Sequence, residues 1–244
     1  MQTGIQRAFA PIRRFTPRWF WSPMRRVMIA LLAPVLFSLR EGHFRSSLKG
    51  MAVDSRGNPL PWYTYPAIDF LRRRSFAGKR ILEFGAGQST LWWAARAASV
   101  VSIEKSEEWL ERVQSRAPSN VELHLARSDS PESCLADARR AIAGRMFDVI
   151  VIDGLFRHEL IPLSIEHLAP RGAIVCDNSD GYGFHEGFLP SGMLHVDFFG
   201  LAPAGIHSFY CTSVFFRPDS FVVDAEVPIL ADVREAESAV TSAV

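Results

Sequence analysis

Glu83-Phe84-Gly85-Ala86-Gly87-Gln88-Ser89-Thr90 places a carboxylate, two glycines and two hydroxyls in one short run. Gly85 and Gly87 let a backbone turn sharply and let a ligand approach it closely. A helix starting at Ser89 or Thr90 would then present unpaired N–H groups to that ligand. The dinucleotide fingerprint puts a third glycine where this chain has Thr90. Glu104 follows about 20 residues on, where a carboxylate at a strand end accepts the hydrogens of a ribose diol. The competing role for Glu104 is a surface carboxylate that pairs with Lys105 or caps the next helix. Ser128 and Asp129 are expected to meet an adenine edge.

A second set lies further along. Ile152-Asp153-Gly154 and Cys176-Asp177-Asn178 each end an apolar run. Two carboxylates and an amide oxygen brought together make a hard-cation site of the Mg2+ type. In the alternative, Asp153 is an acid beside the reacting group, and Asp177 and Asn178 hold the loop that follows. Arg157 stays charged at ordinary pH, so it is a candidate for binding an anionic part of a substrate rather than a base. His158, with an ordinary pKa near 6.5, is the candidate base; its alternative is a helix cap or a surface residue. In the loop 179–193, Tyr182, Phe184 and His185 are candidates to line a pocket, with glycines permitting a lid. Trp92 and Trp93 are expected in the core.

These residues need strands to end beside one another. RILEFG (80–85), VVSIEK (100–105), VELHLA (121–126), FDVIVIDG (147–154) and GAIVCDN (172–178) read as strands. Between them, 89–98, 106–116, 131–144 and 158–170 read as helices, and 65–76 as a helix leading in. Continuous apolar runs such as VIVI fit strands buried on both faces. The alternation predicts an α/β, Rossmann-like, mostly parallel seven-stranded sheet with helices on both faces. Residues 194–199 and 208–216 predict a C-terminal antiparallel strand pair. Ligands of such sheets bind at the carboxyl ends of the strands.

Residues 80–178 resemble a class I S-adenosylmethionine-dependent methyltransferase. Glu83, Gly85 and Gly87 match that family's acidic-x-Gly-x-Gly motif, and Ser89 replaces its frequent third glycine. Glu104 matches its ribose-binding acid and Asp129 its adenine-side one. The resemblance implies S-adenosylmethionine as cofactor. Asp153 with Asp177 and Asn178 is similar to the cation-dependent O-methyltransferases, which implies Mg2+ and a hydroxyl acceptor. One member of that group, catechol O-methyltransferase, has a lysine base three residues after its first aspartate, where this chain has Phe156. The expected activity is therefore methyl transfer, by O-methylation, to a small-molecule acceptor. The rivals are an NAD-dependent oxidoreductase, a nucleic-acid methyltransferase and a membrane-docked cofactor binder without catalysis. No basic module studded with aromatics supports a nucleic-acid partner.

The chain has 27 Lys+Arg and 26 Asp+Glu, unevenly placed: residues 1–80 hold 15 and 3 of them. Such a basic front suits a phosphate-bearing surface, an anionic membrane above all, or else is a solvated arm. The apolar run 27–39, VMIALLAPVLFSL, falls short of the ~20 residues that span a bilayer, and Pro34 interrupts it. It follows Arg13, Arg14, Arg18, Arg25 and Arg26 in the manner of a signal peptide. Yet no small-x-small cleavage site follows, and the expected cofactor is made in the cytosol. A helix lying on the body or on the inner membrane surface is expected, anchored by Trp19, Phe20 and Trp21. Three widely spaced cysteines fit a reducing compartment, and the expected location is cytoplasmic. The expected organisation is an arm over 1–60, a catalytic body over 61–218 and a tail over 219–244. Oligomeric state leaves no mark on the sequence.

Overall fold

The computed structural model describes residues 18–126, 130–205 and 210–224. Ser128 and Asp129, Arg13 and Arg14, the side chains of Trp19 and Phe20, and residues 225–244 of the expected tail lie outside the described residues.

The elements run α1 (Arg18–Arg40), α2 (His43–Lys49), α3 (Tyr65–Arg72), β1 (Arg80–Phe84), α4 (Gln88–Ala94), β2 (Ser99–Glu104), α5 (Glu107–Gln114), β3 (Val121–Leu125), α6 (Pro131–Ile142), β4 (Phe147–Ile152), α7 (Leu160–His167), β5 (Leu168–Asp177), α8 (Phe184–Phe188), β6 (Leu194–Gly200) and β7 (Tyr210–Phe216). One seven-stranded sheet has the order β3-β2-β1-β4-β5-β7-β6. Its first five strands are parallel, and β7 runs antiparallel to both β5 and β6. This is the Rossmann-like sheet that the alternation predicts, with β7 inserted between β5 and β6.

The period of two along a strand divides the core. Ile81, Val149, Val151 and Val175 face Tyr63, Leu71, Phe76, Trp92 and Trp93. Leu82, Ile150, Ile152 and Ile174 face Ala138, Ile142, Leu160 and Phe188 on the other side. Each such Val, Leu, Ile or Phe contributes roughly 1.5–3 kcal/mol when fully buried. Both tryptophans are buried in the core, as expected.

Two elements differ from the sequence reading. β5 begins at Leu168, inside the segment 158–170 read as helix. Pro170 disfavours a helical residue before it, so α7 stops at His167 and Leu168 pairs with Phe147. The cap of α4 is Gly87 rather than Ser89 or Thr90; the Thr90 hydroxyl accepts from the Gly87 N–H at 2.9 Å.

Ala52 and Leu60, on the arm side of residue 60, lie in the core, and so do Phe221 and Val222 beyond residue 218. Ser46 ties α2 to this segment, donating to the Val53 carbonyl at 2.8 Å and accepting from the Val53 N–H at 3.0 Å. α1 behaves differently. It runs unbroken through Pro23 and Pro34, against the expectation that Pro34 interrupts it. A proline inside a helix removes one backbone hydrogen bond and kinks a helix as readily as it ends one. The window Trp21–Arg40 is long and apolar enough, by length and composition, to cross a membrane, and none of it is buried. Val27, Ile29, Leu31, Val35 and Leu39 are each more than half exposed. The expectation of a helix packed along its own body is therefore corrected. α1 joins the body at its end, where Phe37 meets Tyr65 edge-on and Glu41 pairs with Arg72 at 3.5 Å.

Candidate functional site

β1 and β4 end against each other. The Asp153 N–H donates to the Phe84 carbonyl at 3.0 Å, and the Gly85 N–H to the Ile103 carbonyl at 2.8 Å. Gly85 has φ +101°, and a Cβ there would lie 3.0 Å from the Asp153 backbone. A Cβ on Gly154 would lie 3.2 Å from the Gly85 nitrogen. Two bare backbones thus pack directly against each other where the strands stop, at the end of the sheet where ligands of such folds bind.

A cavity of about 1150 Å³ opens over these ends. Among the candidate residues, Gly85, Gly87, Ser89, Glu104 and Asp153 line it. Lys49, Met51, Trp62, Trp109 and Cys134 line it too, and the sequence reading missed them. Lys49 and Met51 come from the segment read as arm and Trp62 from the turn after it, so only long-range packing brings them here. Trp109 had a signal: a lone large aromatic in a short, otherwise mostly polar helical stretch, which the structure leaves 37% exposed. The volume exceeds what a drug-sized ligand fills and suits a nucleoside cofactor with a second molecule beside it.

Glu104 is held firmly. Its Oε2 accepts from the Ala86 N–H at 2.8 Å, and its Oε1 accepts from the N–H groups of Lys105 at 2.9 Å and Ser106 at 2.8 Å. Both lone pairs of Oε1 are engaged, and Oε2 retains one for a ribose hydroxyl. Glu104 therefore joins the glycine turn to β2, and in this arrangement offers one ribose contact rather than two.

Glu83 lies under the turn, fully buried and outside the cavity lining. Its Oε2 accepts from Thr90 at 2.5 Å and Ser102 at 2.9 Å, while Oε1 has no hydrogen-bond partner among the described residues. Burial pushes its carboxyl up to about 7, against the pull of the hydroxyls. Thr90, standing where a dinucleotide fingerprint has glycine, links Glu83 to the Gly87 N–H.

The second set departs from expectation. The five N–H groups of Arg157 face five oxygens: Nε the Gly154 carbonyl at 2.9 Å, Nη1 the Asp177 carbonyl and Asn178 Oδ1 at 3.1 Å, and Nη2 the Asp153 carbonyl at 3.2 Å and Asp153 Oδ1 at 3.0 Å. No donor is left for an anionic acceptor, so that reading of Arg157 is corrected. Tyr182 covers the guanidinium, 4.7 Å from ring centre to carbon.

Asp153, Asp177 and Asn178 do not fit a Mg2+ centre. The cation among them is the guanidinium, which takes the Asn178 amide oxygen and one Asp153 oxygen. Asp177 Oδ1 accepts instead from Thr212 at 2.8 Å. Asp177 and Asn178 also lie outside the cavity lining; their side chains bond Thr212 of β7 and Arg157 after β4, rather than the loop after β5 that the alternative reading assigned to them. Burial pushes Asp177 up to about 6. Burial and the neighbouring Asp177 charge also raise Asp153, against the pull of Arg157.

His158 does not line the cavity. Its ring lies against α8, where a Cβ on Gly187 would come within 3.1 Å of it. Of the loop aromatics only Tyr182 faces the cavity; Phe184 is buried in the core, and His185 turns to the sheet edge.

No family model matches this sequence, and no curated protein sequence does. Solved structures match it at low identity. A methyltransferase from Pyrococcus furiosus matches at 20% identity over 79% of this chain and 99% of that one, with a TM-score of 0.47. An rRNA methylase from Streptococcus thermophilus matches at 14% identity over 61% and 92%, with a TM-score of 0.42. A Streptococcus mutans structure matches at 17% identity over 61% of this chain with a TM-score of 0.46, and this chain spans 47% of that one. The strand order and the inserted antiparallel β7 are themselves the fold of the class I S-adenosylmethionine-dependent methyltransferases.

Proposed function

We propose that this protein transfers the methyl group of S-adenosylmethionine to a hydroxyl of a small-molecule acceptor, at the inner surface of a membrane. One observation carries the reading: the Gly85–Gly87 turn, Glu104 and Asp153 open into one cavity. Glu104 takes a ribose hydroxyl, and the Gly85 backbone meets the cofactor where a side chain would not fit. The bound cofactor supplies an electrophilic methyl group on a sulfonium.

Asp153 receives the acceptor's proton. Its proton affinity is raised by burial and by the Asp177 charge, against the pull of Arg157, which makes it a stronger base than an ordinary carboxylate. Arg157 fixes the Asp153 carboxylate from behind, so acceptor and methyl donor meet in a set orientation. Leu155, Phe156, Leu160 and Tyr182 give that end of the cavity an apolar, aromatic lining, which favours a small organic acceptor.

Calorimetric titration with S-adenosylhomocysteine tests the cofactor. Micromolar binding is expected, weakened about 10- to 100-fold in Glu104→Gln, the loss of one charge-assisted hydrogen bond. Binding of NAD in its place, or no binding of S-adenosylhomocysteine, would sink the reading.

The exposed apolar α1 supports the membrane location. Arginines stand on both sides of its apolar run 27–39, Arg25 and Arg26 before and Arg40 and Arg45 after. Both flanks seek the anionic inner surface, and the body needs a cytosolic cofactor, so α1 lies in the interface rather than across it. The full chain is expected to pellet with anionic vesicles. The Ile29→Asp/Leu36→Asp chain should stay in solution, and equal pelleting of the two would remove the anchor.

A further inference from the structure

Beyond the cavity, at the sheet edge, His185, His195 and Asp197 converge so that one ligand atom from each lies within 4.8 Å of the others. We propose that these three side chains bind a divalent transition-metal ion, with Zn2+ the best fit, in a site separate from the cofactor cavity. None of the three lines that cavity.

The topology makes the cluster. His195 and Asp197 are two apart on β6, so they share one face of the edge strand. Opposite them on β7 stand Phe215 and Ser213. His185 comes down from α8, and its ring meets His195 with centroids 4.7 Å apart. His185 Nε2 lies 3.1 and 3.3 Å from the two Asp197 oxygens, and His195 Nε2 lies 3.8 Å from Oδ2.

Those separations decide between a proton and an ion. Zinc bonds nitrogen and oxygen at about 2.0–2.1 Å, so ligands on one tetrahedral ion stand roughly 3.3 Å apart. A proton on His185 satisfies the short contact alone. The 3.8 Å contact of His195 exceeds a hydrogen bond, and a second nitrogen still points at the same carboxylate. Two imidazoles with one carboxylate suit zinc and its neighbours rather than Mg2+ or Ca2+.

The surroundings are built as metal sites are built. Asp197 Oδ1 accepts from the Ser213 hydroxyl at 2.5 Å, and Ser213 lies 2.6 Å from the Ser179 hydroxyl. This chain fixes the carboxylate from behind, as outer-shell partners do. Phe215 lies against both imidazoles, at 5.8 Å from His185 and 5.3 Å from His195. The ion would fasten α8 to β6 and so stiffen the loop between Tyr182 and β6. Three protein ligands leave at least one position to water.

The test titrates the EDTA-treated full chain with ZnCl2 by calorimetry and follows its melting temperature. One ion per chain, at micromolar affinity or tighter and with a raised melting temperature, is expected. His195→Gln should weaken this by about 100-fold and abolish the thermal shift, and Ser213→Ala should weaken it about 10-fold with the fold intact. No binding in the parent chain overturns the site. Binding that His195→Gln and Ser213→Ala both leave unchanged also overturns it, because the ion then sits elsewhere. The outcome is independent of S-adenosylhomocysteine binding, which reads the other cavity.

Discussion

Replacing Arg157 with alanine is expected to cost about 3–5 kcal/mol of folding stability, the penalty for leaving buried charge without its partner. The side chain is only 10% exposed and Asp153 20%. Removing the guanidinium leaves two carboxyls, the partly buried Asp153 and the buried Asp177, close to one another without a cation. It also leaves the carbonyls of Gly154, Asp153 and Asp177 without their donor. Lysine should not restore the loss, because three donors on one nitrogen cannot reach five oxygens spread over two strand ends. Urea denaturation of Arg157→Ala, Asp153→Asn and the double variant checks this. The double variant should be less destabilised than the sum of the singles, since neutralising Asp153 removes part of the charge that Arg157 balances. Additive losses would mean that Arg157 acts through the backbone carbonyls and packing rather than through the Asp153 charge.

The same substitution bears on the chemistry. Asp153 then carries a still higher proton affinity and loses the group that orients it, so turnover should fall in the Arg157→Ala protein even where it remains folded.

The strand ends were legible in the sequence because their cause is local. Apolar β-branched runs stop at Gly85, Glu104, Asp153 and Asp177, and parallel strands bring their ends to one side of a sheet. Glu104 and Asp153 line the cavity for that reason. What a side chain does after its strand ends is a different matter. Arg157 sits four residues past Asp153, and nothing in the spacing says whether it points outward to a ligand or back across two loops. Its direction is set by five backbone and side-chain oxygens contributed by β4 and β5, so the cation expected from solvent is supplied by the chain. His158, the next residue, is carried to the opposite side, toward α8.

Long-range packing hid the rest. Lys49, Met51 and Trp62 reach the cavity because Ala52 and Leu60 are anchored in the core, an arrangement with no periodic signal in a turn-rich segment. His185 meets His195 and Asp197 only because β7 is inserted between β5 and β6, which places β6 at the edge beneath α8. α1 failed in another way. The apolar run was measured from Val27 to Leu39, whereas the helix extends over its flanks from Arg18 to Arg40.

Glu83→Gln is expected to remove a pH-dependent stability contribution of about 3 kcal/mol, because each pKa unit between folded and unfolded chain corresponds to about 1.4 kcal/mol. The folded carboxyl is pushed up from its ordinary 4.5 to about 7, chiefly by burial. A carboxyl raised on folding binds its proton more tightly in the native state. Its contribution is therefore fully present below about pH 4.5, declines as the pH rises toward 7, and levels off above. Glutamine can still accept from Thr90 and Ser102 through its carbonyl, so the link from residue 83 through Thr90 to the Gly87 N–H survives. Its amide NH2 takes the place of Oε1, which has no hydrogen-bond partner among the described residues, and that adds a pH-independent cost of roughly 1–3 kcal/mol. The slope, not the offset, is the readout. Denaturant midpoints of the parent and Glu83→Gln chains at pH 5 and pH 8 should show the glutamine chain gaining on the parent as the pH rises. A difference that stays constant between those pH values would mean that Glu83 is ionised across the whole range, with its charge met by a group at Oε1.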